Sequence, residues 1–424
     1  MFLSLEVLPA RKGDCLLLHF GKMAPTRLVL VDGGPSGVYG SHLKPRLEAL
    51  RAARGLVPNE ALQLDALLVS HIDDDHIRGI LDLTKDLREA KQQQRPLPVR
   101  VSRLWHNGLE QLLGGRPAQL DSHASFGAAA LLGEVELPEC MDDTAAMVLA
   151  SIPQGRKLED DARFLGWQVN QGFEDGLILA KEGPVQATLA DDLRLTVIGP
   201  LRSELEALWR EHEAWLRKHD GEARPAAALA AYLDESVTNL SSIVLLAEMG
   251  GRRALLTGDA RGDTILRGLR LAGLLPRDGG TLHLDLLKIP HHGSSRNMEE
   301  DFFRRITADH YVFSGDGEHG NPERETVEML LDARDDGAPF TLHFTYPIAG
   351  IDSRRREDWE KARAKEEARQ KKGAKKPVSS DWDTGRQSIV ALFAERGIPS
   401  GGREVRVVEA GKPHFIHLLG MVSP

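Results

Sequence analysis

A dense group of potential metal ligands occupies residues 71–76, which read His-Ile-Asp-Asp-Asp-His. Five of these six side chains end in an imidazole or a carboxylate, and that mixture suits Zn²⁺, Mn²⁺ or Fe²⁺ better than Ca²⁺. The apolar run Leu-Leu-Val at 67–69 comes just before them, which predicts a buried strand that ends where the ligands begin. Because a strand holds its end rigidly, these side chains could converge on one ion. A solvated acidic loop with two histidines is the structural alternative.

Three later groups of polar residues could contribute to the same site. They read Asn-Leu-Ser-Ser at 239–242, Thr-Gly-Asp at 257–259 and Lys-Ile-Pro-His-His-Gly-Ser at 288–294. The last two follow strand-like apolar runs, and functional side chains of layered α/β proteins gather where strands end. They also have an ordinary structural explanation, since Asp259 and Ser294 could cap the helices that follow them.

The elements that position these groups alternate between strands and helices. In the first half, a helix is predicted at 41–54 and strands are predicted at 2–8, 15–20, 27–31 and 65–70. In the second half, a helix is predicted at 262–271 and strands are predicted at 241–248, 253–257, 282–289, 310–314, 387–393, 404–408 and 415–419. This order predicts a layered α/β fold.

Length and composition limit the kind of protein. A chain of 424 residues with 41% hydrophobic and 28% charged residues is long enough for one large domain with insertions, and we predict a single domain over 1–424. Residues 105–190 are predicted as a mixed insertion that could form a cap over a cleft. The net charge of −9 argues against a protein that coats nucleic acid, although bound divalent ions can reverse the local sign.

Residues 353–376 differ from the rest of the chain in charge. They contain eleven Lys or Arg residues, five Asp or Glu residues and almost no apolar side chain. Such a run predicts a charged, solvated helix or a flexible loop. A basic arm that contacts phosphate groups is the functional alternative.

The cysteines and the N-terminal sequence bear on the compartment. Cys15 and Cys140 are too few for a disulfide framework or a multi-cysteine zinc module, so we expect free thiols in a reducing compartment. The N-terminus lacks a basic segment followed by a long apolar one, and no apolar run is long enough to cross a bilayer. The sequence therefore predicts a cytoplasmic protein without a membrane partner.

Taken together, the polar groups resemble the metallo-β-lactamase superfamily, and specifically its ComEC-like branch. The resemblance also includes Gly13-Asp14, Asp32-Gly33-Gly34 and the run His-Gly-Asn-Pro at 319–322. It extends broadly over residues 1–80 and 190–335. It implies a four-layer αββα metallo-β-lactamase fold, in which two packed mixed β-sheets are flanked by helices, with an inserted helical or mixed segment.

The resemblance implies two divalent metal ions, Zn²⁺ or Mn²⁺, with Mg²⁺ as a further candidate. The implied ligands are His71 and Asp73 for the first ion, Asp75, His76 and His292 for the second, and Asp259 as the bridge between them. The superfamily usually has His-x-His-x-Asp-His, so Asp73 stands where a histidine is common, as in ComEC-like proteins. A carboxylate there makes the first site harder and favours Mn²⁺ or Mg²⁺ relative to Zn²⁺. We expect that site to bind its ion more weakly.

Other residues are expected beside the metal ions. Asp75 and His291 are the expected catalytic residues, and His291 would contact the substrate phosphate or shuttle a proton. Adjacent residues of an extended chain point to opposite sides, so His291 and His292 are not easily both ligands. The resemblance favours His292, because the last metal-binding histidine of the superfamily is commonly followed by glycine. The expected partners of the ligands or of the substrate are Asp32, Asn239, Ser241, Lys288, Ser294 and His319.

The implied function is metal-dependent hydrolysis of a phosphodiester. Two metal ions about 3.5–4 Å apart can activate a hydroxide and clamp the leaving oxygen of a phosphoryl group. The ComEC-like resemblance implies a nuclease with DNA as its substrate, and a protein partner in a defence or repair system is a further expectation. The alternatives are a hydrolase of small phosphodiesters or phosphorylcholine esters, and a degenerate module that binds nucleic acid or a partner. The oligomeric state stays open.

Overall fold

β-Strands and helices alternate along the chain. The computed structural model describes residues 1–108, 112, 143–206, 210, 242–276, 279–371 and 377–421. Its strands are β1 (Phe2–Val7), β2 (Leu16–Gly21), β3 (Arg27–Val31), β4 (Leu62–Leu64), β5 (Ala66–Leu68), β6 (Val99–Val101), β7 (Arg103–Trp105), β8 (Gln168–Val169), β9 (Val185–Thr188), β10 (Arg194–Gly199), β11 (Val244–Met249), β12 (Arg252–Leu256), β13 (Leu282–Lys288), β14 (Ile306–Phe313), β15 (Phe340–Phe344), β16 (Arg403–Val407) and β17 (His414–Leu419). Its helices are α1 (Lys44–Ala53), α2 (Asp74–Gln92), α3 (Asp143–Leu165), α4 (Gly262–Leu271), α5 (Glu300–Arg305), α6 (Arg324–Ala333), α7 (Ile348–Lys371), α8 (Thr384–Gln387) and α9 (Ile389–Arg396).

Two large mixed sheets contain most of these strands. Within the described residues, the first sheet has the order β17-β1-β2-β3-β5-β7-β8, the second has the order β16-β15-β14-β13-β12-β11-β10-β9, and β4 pairs with β6. The first sheet is antiparallel from β17 to β3 and parallel from β3 to β8. The second is antiparallel from β9 to β12 and parallel from β12 to β16. The prediction of an α/β fold is confirmed.

Both faces of the central strands are buried. On β2, Leu16 and Leu18 belong to an apolar cluster that includes residues of both sheets, whereas Leu17 packs in the cluster that contains α1 and α2. On β11, Leu245 joins the cluster that draws on both sheets, while Leu246 packs in the cluster of α4, α5 and α6. Burying one leucine stabilises a protein by roughly 1.5–3 kcal/mol. Burial on both faces explains why these strands read as continuous apolar runs.

The parallel strands bring the polar groups of the sequence to common edges. In the first sheet, Asp32 directly follows β3, and Ser70 and His71 come two and three residues after β5. In the second sheet, Asp259 comes just after β12, and the segment Pro290–Gly293 comes just after β13. Because the carboxyl ends of neighbouring parallel strands meet at one edge, each sheet presents its polar residues together.

One predicted strand is wrong. The run at 387–393 is not a strand, because residues Ile389–Arg396 form helix α9. The hydroxyl of Ser388 accepts a hydrogen bond from the Ala391 amide at 3.0 Å, and Gly397 ends the helix with a φ of 61°. A short apolar run does not distinguish a strand from a helix, and the capping residues are the signal that does.

The charged segment and the insertion have defined structure over part of their length. Residues 353–371 belong to helix α7, so this part of the charged segment is a helix and not a flexible loop. Residues 372–376 lie outside the described residues. In the insertion, α3 packs on α2, where buried Asp161 accepts hydrogen bonds from Thr84 at 2.6 Å and from Arg88 at 2.8 Å. Strand β8 extends the first sheet and β9 extends the second. Residues 109–111 and 113–142 lie outside the described part.

None of the helices that the structure describes combines the length and the apolar character needed to cross a membrane. Cys15 is a buried free thiol, and Cys140 lies outside the described residues.

Candidate metal centre

Histidine and aspartate side chains from both sheets meet between the strand ends. His71 comes from the loop after β5, His76 from the first turn of α2, Asp259 from the loop after β12 and His292 from the turn after β13. All four are buried. Asp73, Asp75 and His291 lie beside them. Of the residues predicted around the site, Asn239 and Ser241 lie outside the described residues.

Three of these side chains have the spacing of ligands to a single ion. His76 Nε2 and His292 Nε2 are 3.2 Å apart, and each lies 3.4 Å from Oδ1 of Asp259. Tetrahedral ligands at bond lengths of about 2.0–2.1 Å lie about 3.3 Å from one another, so the triangle matches one face of a zinc-like site. Asp75 is next to this triangle, with its oxygens 3.9 Å from His76 Nε2 and 3.8 Å from His292 Nε2.

The other carboxylate oxygen of Asp259 faces a second set of groups. Its Oδ2 lies 3.7 Å from His71 Nε2 and 3.7 Å from His291 Nε2. His71 Nε2 is also 3.5 Å from Asp73 Oδ2. This buried nitrogen makes no hydrogen bond within the described residues, and a buried polar atom needs a partner such as an ion. Asp259 is therefore placed between two groups of potential ligands, and the donor set fits divalent metal ions.

Outer carboxylates orient two of the histidines. Asp32 Oδ2 lies 2.9 Å from His76 Nδ1, and Ser70 fixes Asp32 by donating from its amide and its hydroxyl, each at 2.7 Å. With Nδ1–H donating to Asp32, Nε2 of His76 faces Asp259 and is the nitrogen left to bind a metal ion. A carboxylate behind a ligating histidine is the usual way in which proteins fix the tautomer and the ring orientation.

His292 has a comparable arrangement. Its Nδ1 lies 3.0 Å from Ser314 Oγ and 3.5 Å from Asp14 Oδ1. The other oxygen of Asp14 is 2.6 Å from Nζ of Lys288, whose side chain is only 1% exposed. Since Asp14 approaches Nδ1 while Nε2 faces Asp259, Asp14 orients His292 from behind. Lys288, which was predicted beside the site, neutralises that buried carboxylate.

Glycines permit the close contacts that hold α2 in place. A Cβ atom on Gly13 would lie 1.8 Å from the carbonyl oxygen of Asp75, and one on Gly79 would lie 2.0 Å from the carbonyl oxygen of Gly33. The Gly33 amide also donates to the carbonyl of His76 at 2.8 Å. Only a residue without a side chain fits at these contacts. The glycines of the loops after β1 and β3 therefore place the first turn of α2 at the site.

The histidine pair is not extended, so the prediction that its two rings point to opposite sides is wrong. His291, His292 and Gly293 have φ angles of 48°, 53° and 90°, a left-handed turn that costs roughly 1–2 kcal/mol at each non-glycine residue. The turn brings both rings to Asp259. The His291 side chain is 36% exposed and that of His292 only 3%, so His291 lies on the open side of the site.

Electrostatics make the site attractive to cations. Burial alone would raise the pKa of Asp259, but His292, His76 and His291 lower it well below its usual value. Burial would lower the pKa of His292, yet Asp259, opposed by Lys288 and helped by Asp14, raises it to about 9. The pKa of His76 is likewise raised well above its usual value by Asp259 and Asp32, against the effect of burial. These imidazoles hold protons that a metal ion would displace.

Other residues that the sequence singled out lie away from the ligands. Asp74 accepts a hydrogen bond from Gln154 of α3 at 3.3 Å. Ser294 donates to Glu323 at 3.3 Å and does not cap the turn that follows it. His319 is 59% exposed, and its Nε2 accepts from Nζ of Lys12 at 2.9 Å. It therefore lies at the rim of the site.

Four residues of the centre were not assigned roles from the sequence. Ser70, Ser242 and Ser314 hold Asp32, Asp259 and His292 by hydrogen bonds, and Asp14 lies behind His292. The sequence shows Gly13-Asp14 as a turn. Lys288, the ion-pair partner of Asp14, is 274 positions further along the chain, and no local sequence pattern connects these two residues.

Comparisons with known proteins give short matches. No protein-family model matches the chain. It is 35% identical over 83 residues to Microtubule-associated protein 1A of Mus musculus, which is 19% of this chain and 3% of that protein. It is 38% identical over 73 residues to Microtubule-associated protein 1S of Bos taurus, which is 17% of this chain and 7% of that protein. The chain thus spans only a small part of the length of the relatives it matches.

Proposed function

We propose that this protein is a metal-dependent hydrolase of the metallo-β-lactamase type that cleaves phosphodiester bonds in DNA. The observation that carries the proposal is the position of Asp259, whose two oxygens face His76 with His292 on one side and His71 with His291 on the other. A carboxylate between two sets of buried imidazoles is suited to bridging two divalent ions.

The distribution of apolar clusters supports the finer fold proposal. One cluster draws on both large sheets, and each sheet also packs its other face against helices. That arrangement suits the four-layer αββα order of the metallo-β-lactamase fold. Membership of the superfamily is part of the proposal, because it rests on the sequence motifs together with the arrangement of two sheets between helices.

The residues of the centre would form two ion-binding groups, with Asp32 and Asp14 orienting the histidines. His76, His292, Asp259 and Asp75 would hold one ion, and His71, Asp73 and the other oxygen of Asp259 would hold the second. When bound, the ions would supply the positive charge that stabilises a phosphoryl group and acidifies water. Asp32 and Asp14 would keep two imidazoles in the tautomer that leaves Nε2 as the ligand atom.

His291 is placed to act on the substrate. Its Nε2 lies 3.7 Å from Asp259 Oδ2, and its ring is the one that opens to solvent. An imidazole there can donate a hydrogen bond to a phosphate oxygen or a proton to the leaving oxygen. The strained backbone turn fixes its direction, so His291 would be positioned before the substrate arrives.

The bound ions would make the centre able to accept an anionic substrate. Two divalent ions would balance the four carboxylate charges of Asp32, Asp73, Asp75 and Asp259. The rim beside Asp75 adds Arg11 and Lys12, although Glu318 offsets them at 3.0 and 3.6 Å. A carboxylate-rich donor set accepts Mn²⁺ or Mg²⁺ as well as Zn²⁺. These features agree with a phosphodiester substrate.

A metal-dependent cleavage assay tests the proposal. Protein stripped with a chelator and reloaded with Mn²⁺, Mg²⁺ or Zn²⁺ is offered single-stranded DNA, duplex DNA and bis(p-nitrophenyl) phosphate. We expect cleavage that depends on the metal, and a loss of more than about 100-fold in Asp259→Asn, since even outer partners of a metal site contribute 10–100-fold. A metal-loaded protein that cleaves none of the three substrates contradicts the proposal.

A further inference from the structure

A groove of about 740 Å³ runs along helix α7, and we call it the α7 groove. The residues that define it here are Arg296, His319, Asp358, Trp359, Lys365 and Trp382. The groove lies outside the group of metal ligands. Part of its wall belongs to the charged segment 353–376, and helix α7 places Lys361 and Lys365 of that segment along the groove.

One end of the α7 groove adjoins the candidate metal centre. His319 lies at this end and accepts from Lys12 at 2.9 Å, and the neighbouring Gly13 packs against the carbonyl of Asp75. A second contact comes from the groove wall, where the Glu323 amide donates to the carbonyl of Gly293 at 3.0 Å. A polymer lying in the groove would therefore lead directly to the ligands.

Most acidic residues of the groove are held by groups of the protein. Asp358 accepts from the His319 amide at 3.0 Å and from Lys361 at 3.2 Å. Glu323 accepts hydrogen bonds from Ser294 and Ser295. These contacts leave the acidic oxygens engaged and reduce their repulsion of an anion.

The two remaining acids of the groove differ in their partners. Glu318 is bridged to Arg11 at 3.0 Å and to Arg354 at 3.2 Å. Glu325 is exposed, and the nearby Arg355 guanidinium is buried against the carbonyls of Gly320 and Gln387.

Basic residues of the groove are available by contrast. Arg296 and Lys365 are exposed and have no hydrogen bond or ion pair within the described residues. Lys361 is exposed but pairs with Asp358 at 3.2 Å, so it does not count as a free cation. The groove thus offers the free cations of Arg296 and Lys365 while three of its four acids are engaged, which favours an anionic polymer.

Two tryptophans add flat apolar surface to the same groove. The rings of Trp359 and Trp382 are half-buried, with centroids 6.2 Å apart and planes at 76°. The Trp359 indole N–H donates to the Ser380 carbonyl at 2.9 Å, and the Arg355 guanidinium lies 5.6 Å from the Trp382 ring. Aromatic rings beside free cations are the combination by which proteins bind single strands of nucleic acid.

The dimensions fit one strand. From Arg354 to Lys365 the helix rises about 16 Å at 1.5 Å per residue, which about five nucleotides occupy at 3.4 Å per charge. A volume of about 740 Å³ over that length corresponds to a mean cross-section of roughly 45 Å². A B-form duplex, whose major groove alone is about 12 Å wide, is too broad for this cross-section.

We infer that the α7 groove binds single-stranded nucleic acid and guides it to the metal centre. The phosphates would contact Arg296 and Lys365, and the bases would stack on Trp359 or Trp382. This inference rests on the proposed function for its biological meaning, but the binding itself can be measured without hydrolysis.

Fluorescence anisotropy with a labelled oligo-dT of 20 nucleotides, in EDTA so that no cleavage occurs, tests the groove. The full chain is compared with the double variant Arg296→Gln/Lys365→Gln. Losing two phosphate contacts should lower the salt slope of log K by about 1.4 and weaken binding about 25-fold at 0.1 M salt. The matched control is Arg304→Gln/Arg356→Gln, which removes two exposed charges outside the groove and should change affinity less than twofold.

Trp382→Ala provides a second readout, because stacking quenches tryptophan emission. We expect quenching by oligo-dT in the wild type and a clear reduction in this variant. The inference is overturned if the groove variants bind oligo-dT as the wild type does. It is also overturned if duplex DNA binds as tightly as the single strand, or if polyglutamate competes as well as oligo-dT at equal charge.

The groove and the proposed function can fail separately. Metal-loaded wild-type protein assayed on bis(p-nitrophenyl) phosphate and DNA tests the chemistry alone. If both substrates are cleaved while the groove variants bind normally, the groove inference fails and the function stands. If neither is cleaved while the groove variants lose binding as expected, the hydrolase proposal fails and the groove stands.

Discussion

Two groups of three histidines lie in the described part of this protein, and their surroundings differ. The metal-centre group is His71, His76 and His292. The histidine chain is His310, His343 and His414, on β14, β15 and β17. In the histidine chain, the nitrogens of successive rings are 3.1 and 2.9 Å apart. These distances are as short as the 3.2 Å between Nε2 of His76 and Nε2 of His292 in the metal-centre group.

The difference lies in convergence and in charge. His343 uses Nε2 toward His310 and Nδ1 toward His414, so the three rings cannot share one ion. Burial, together with the two neighbouring imidazoles, lowers the pKa of His343 to about 2, whereas the pKa of His292 is raised to about 9. Clustered histidines therefore do not make a cation site by themselves. Convergent nitrogens together with carboxylates such as Asp259 are what the candidate metal centre has and the histidine chain lacks.

The largest expected effect on stability concerns the ion pair behind His292. Lys288→Met removes the buried partner of Asp14 at 2.6 Å and leaves that carboxylate with only the more distant His292 Nδ1, at 3.5 Å, to compensate it. Breaking a buried pair in this way costs about 3–5 kcal/mol, which urea denaturation of the metal-free protein measures. The double variant Lys288→Met/Asp14→Leu serves as the control and should recover much of the loss. Unchanged stability in Lys288→Met would show that the pair does not support the centre.

The histidine chain should make the protein sensitive to acid. Because the pKa of His343 is about 2 in the folded protein and about 6.5 in the unfolded chain, only the unfolded state gains this proton between those values. Stability from this group is complete above pH 6.5 and falls below it by up to about 1.4 kcal/mol per unit. His343→Phe should flatten this decline between pH 6.5 and 4.5, as measured by denaturation at several pH values. An equally steep decline in the variant would contradict the assignment.

The metal-centre group should give the opposite dependence in the metal-free protein. Since the pKa of His292 is raised to about 9, its contribution is complete below pH 6.5 and is lost as pH rises from 6.5 to 9. Added Zn²⁺ should remove this alkaline decline, because the metal replaces the proton. Persistence of the decline in saturating Zn²⁺ would separate His292 from metal binding.

A smaller effect is expected from the carboxylate behind His76. Asp32→Asn keeps the size of the side chain but removes the charge that accepts from Nδ1 at 2.9 Å. Such outer partners contribute about 10–100-fold to metal affinity, so calorimetric titration should show a loss in that range. Asp65→Asn, at a carboxylate that instead pairs with Arg27, is the control and should leave metal affinity unchanged. Equal affinities for wild type and Asp32→Asn would remove Asp32 from the centre.

The sequence predicts most strands and the polar residues that follow them. It does not predict the contacts that depend on how the two sheets pack. Apolar runs predicted most strands, and polar residues after them predicted the residues around Asp259. The left-handed turn at His291 and His292 was missed because no local pattern requires it. Asp14 was missed as an outer partner because its role depends on Lys288, which only the packing of two sheets brings near. The apolar run that begins at Ile389 is compatible with a strand or a helix, and the caps Ser388 and Gly397 distinguish the two.

The most direct test is the metal stoichiometry of three proteins. Wild type, Asp259→Asn and His343→Phe are stripped, titrated with Mn²⁺ or Zn²⁺, and measured by mass spectrometry after removal of free metal. We predict two ions per chain for wild type and for His343→Phe, and at most one for Asp259→Asn. A wild-type protein that retains no metal, or an Asp259→Asn protein that retains as much as wild type, would contradict a two-metal centre built around Asp259.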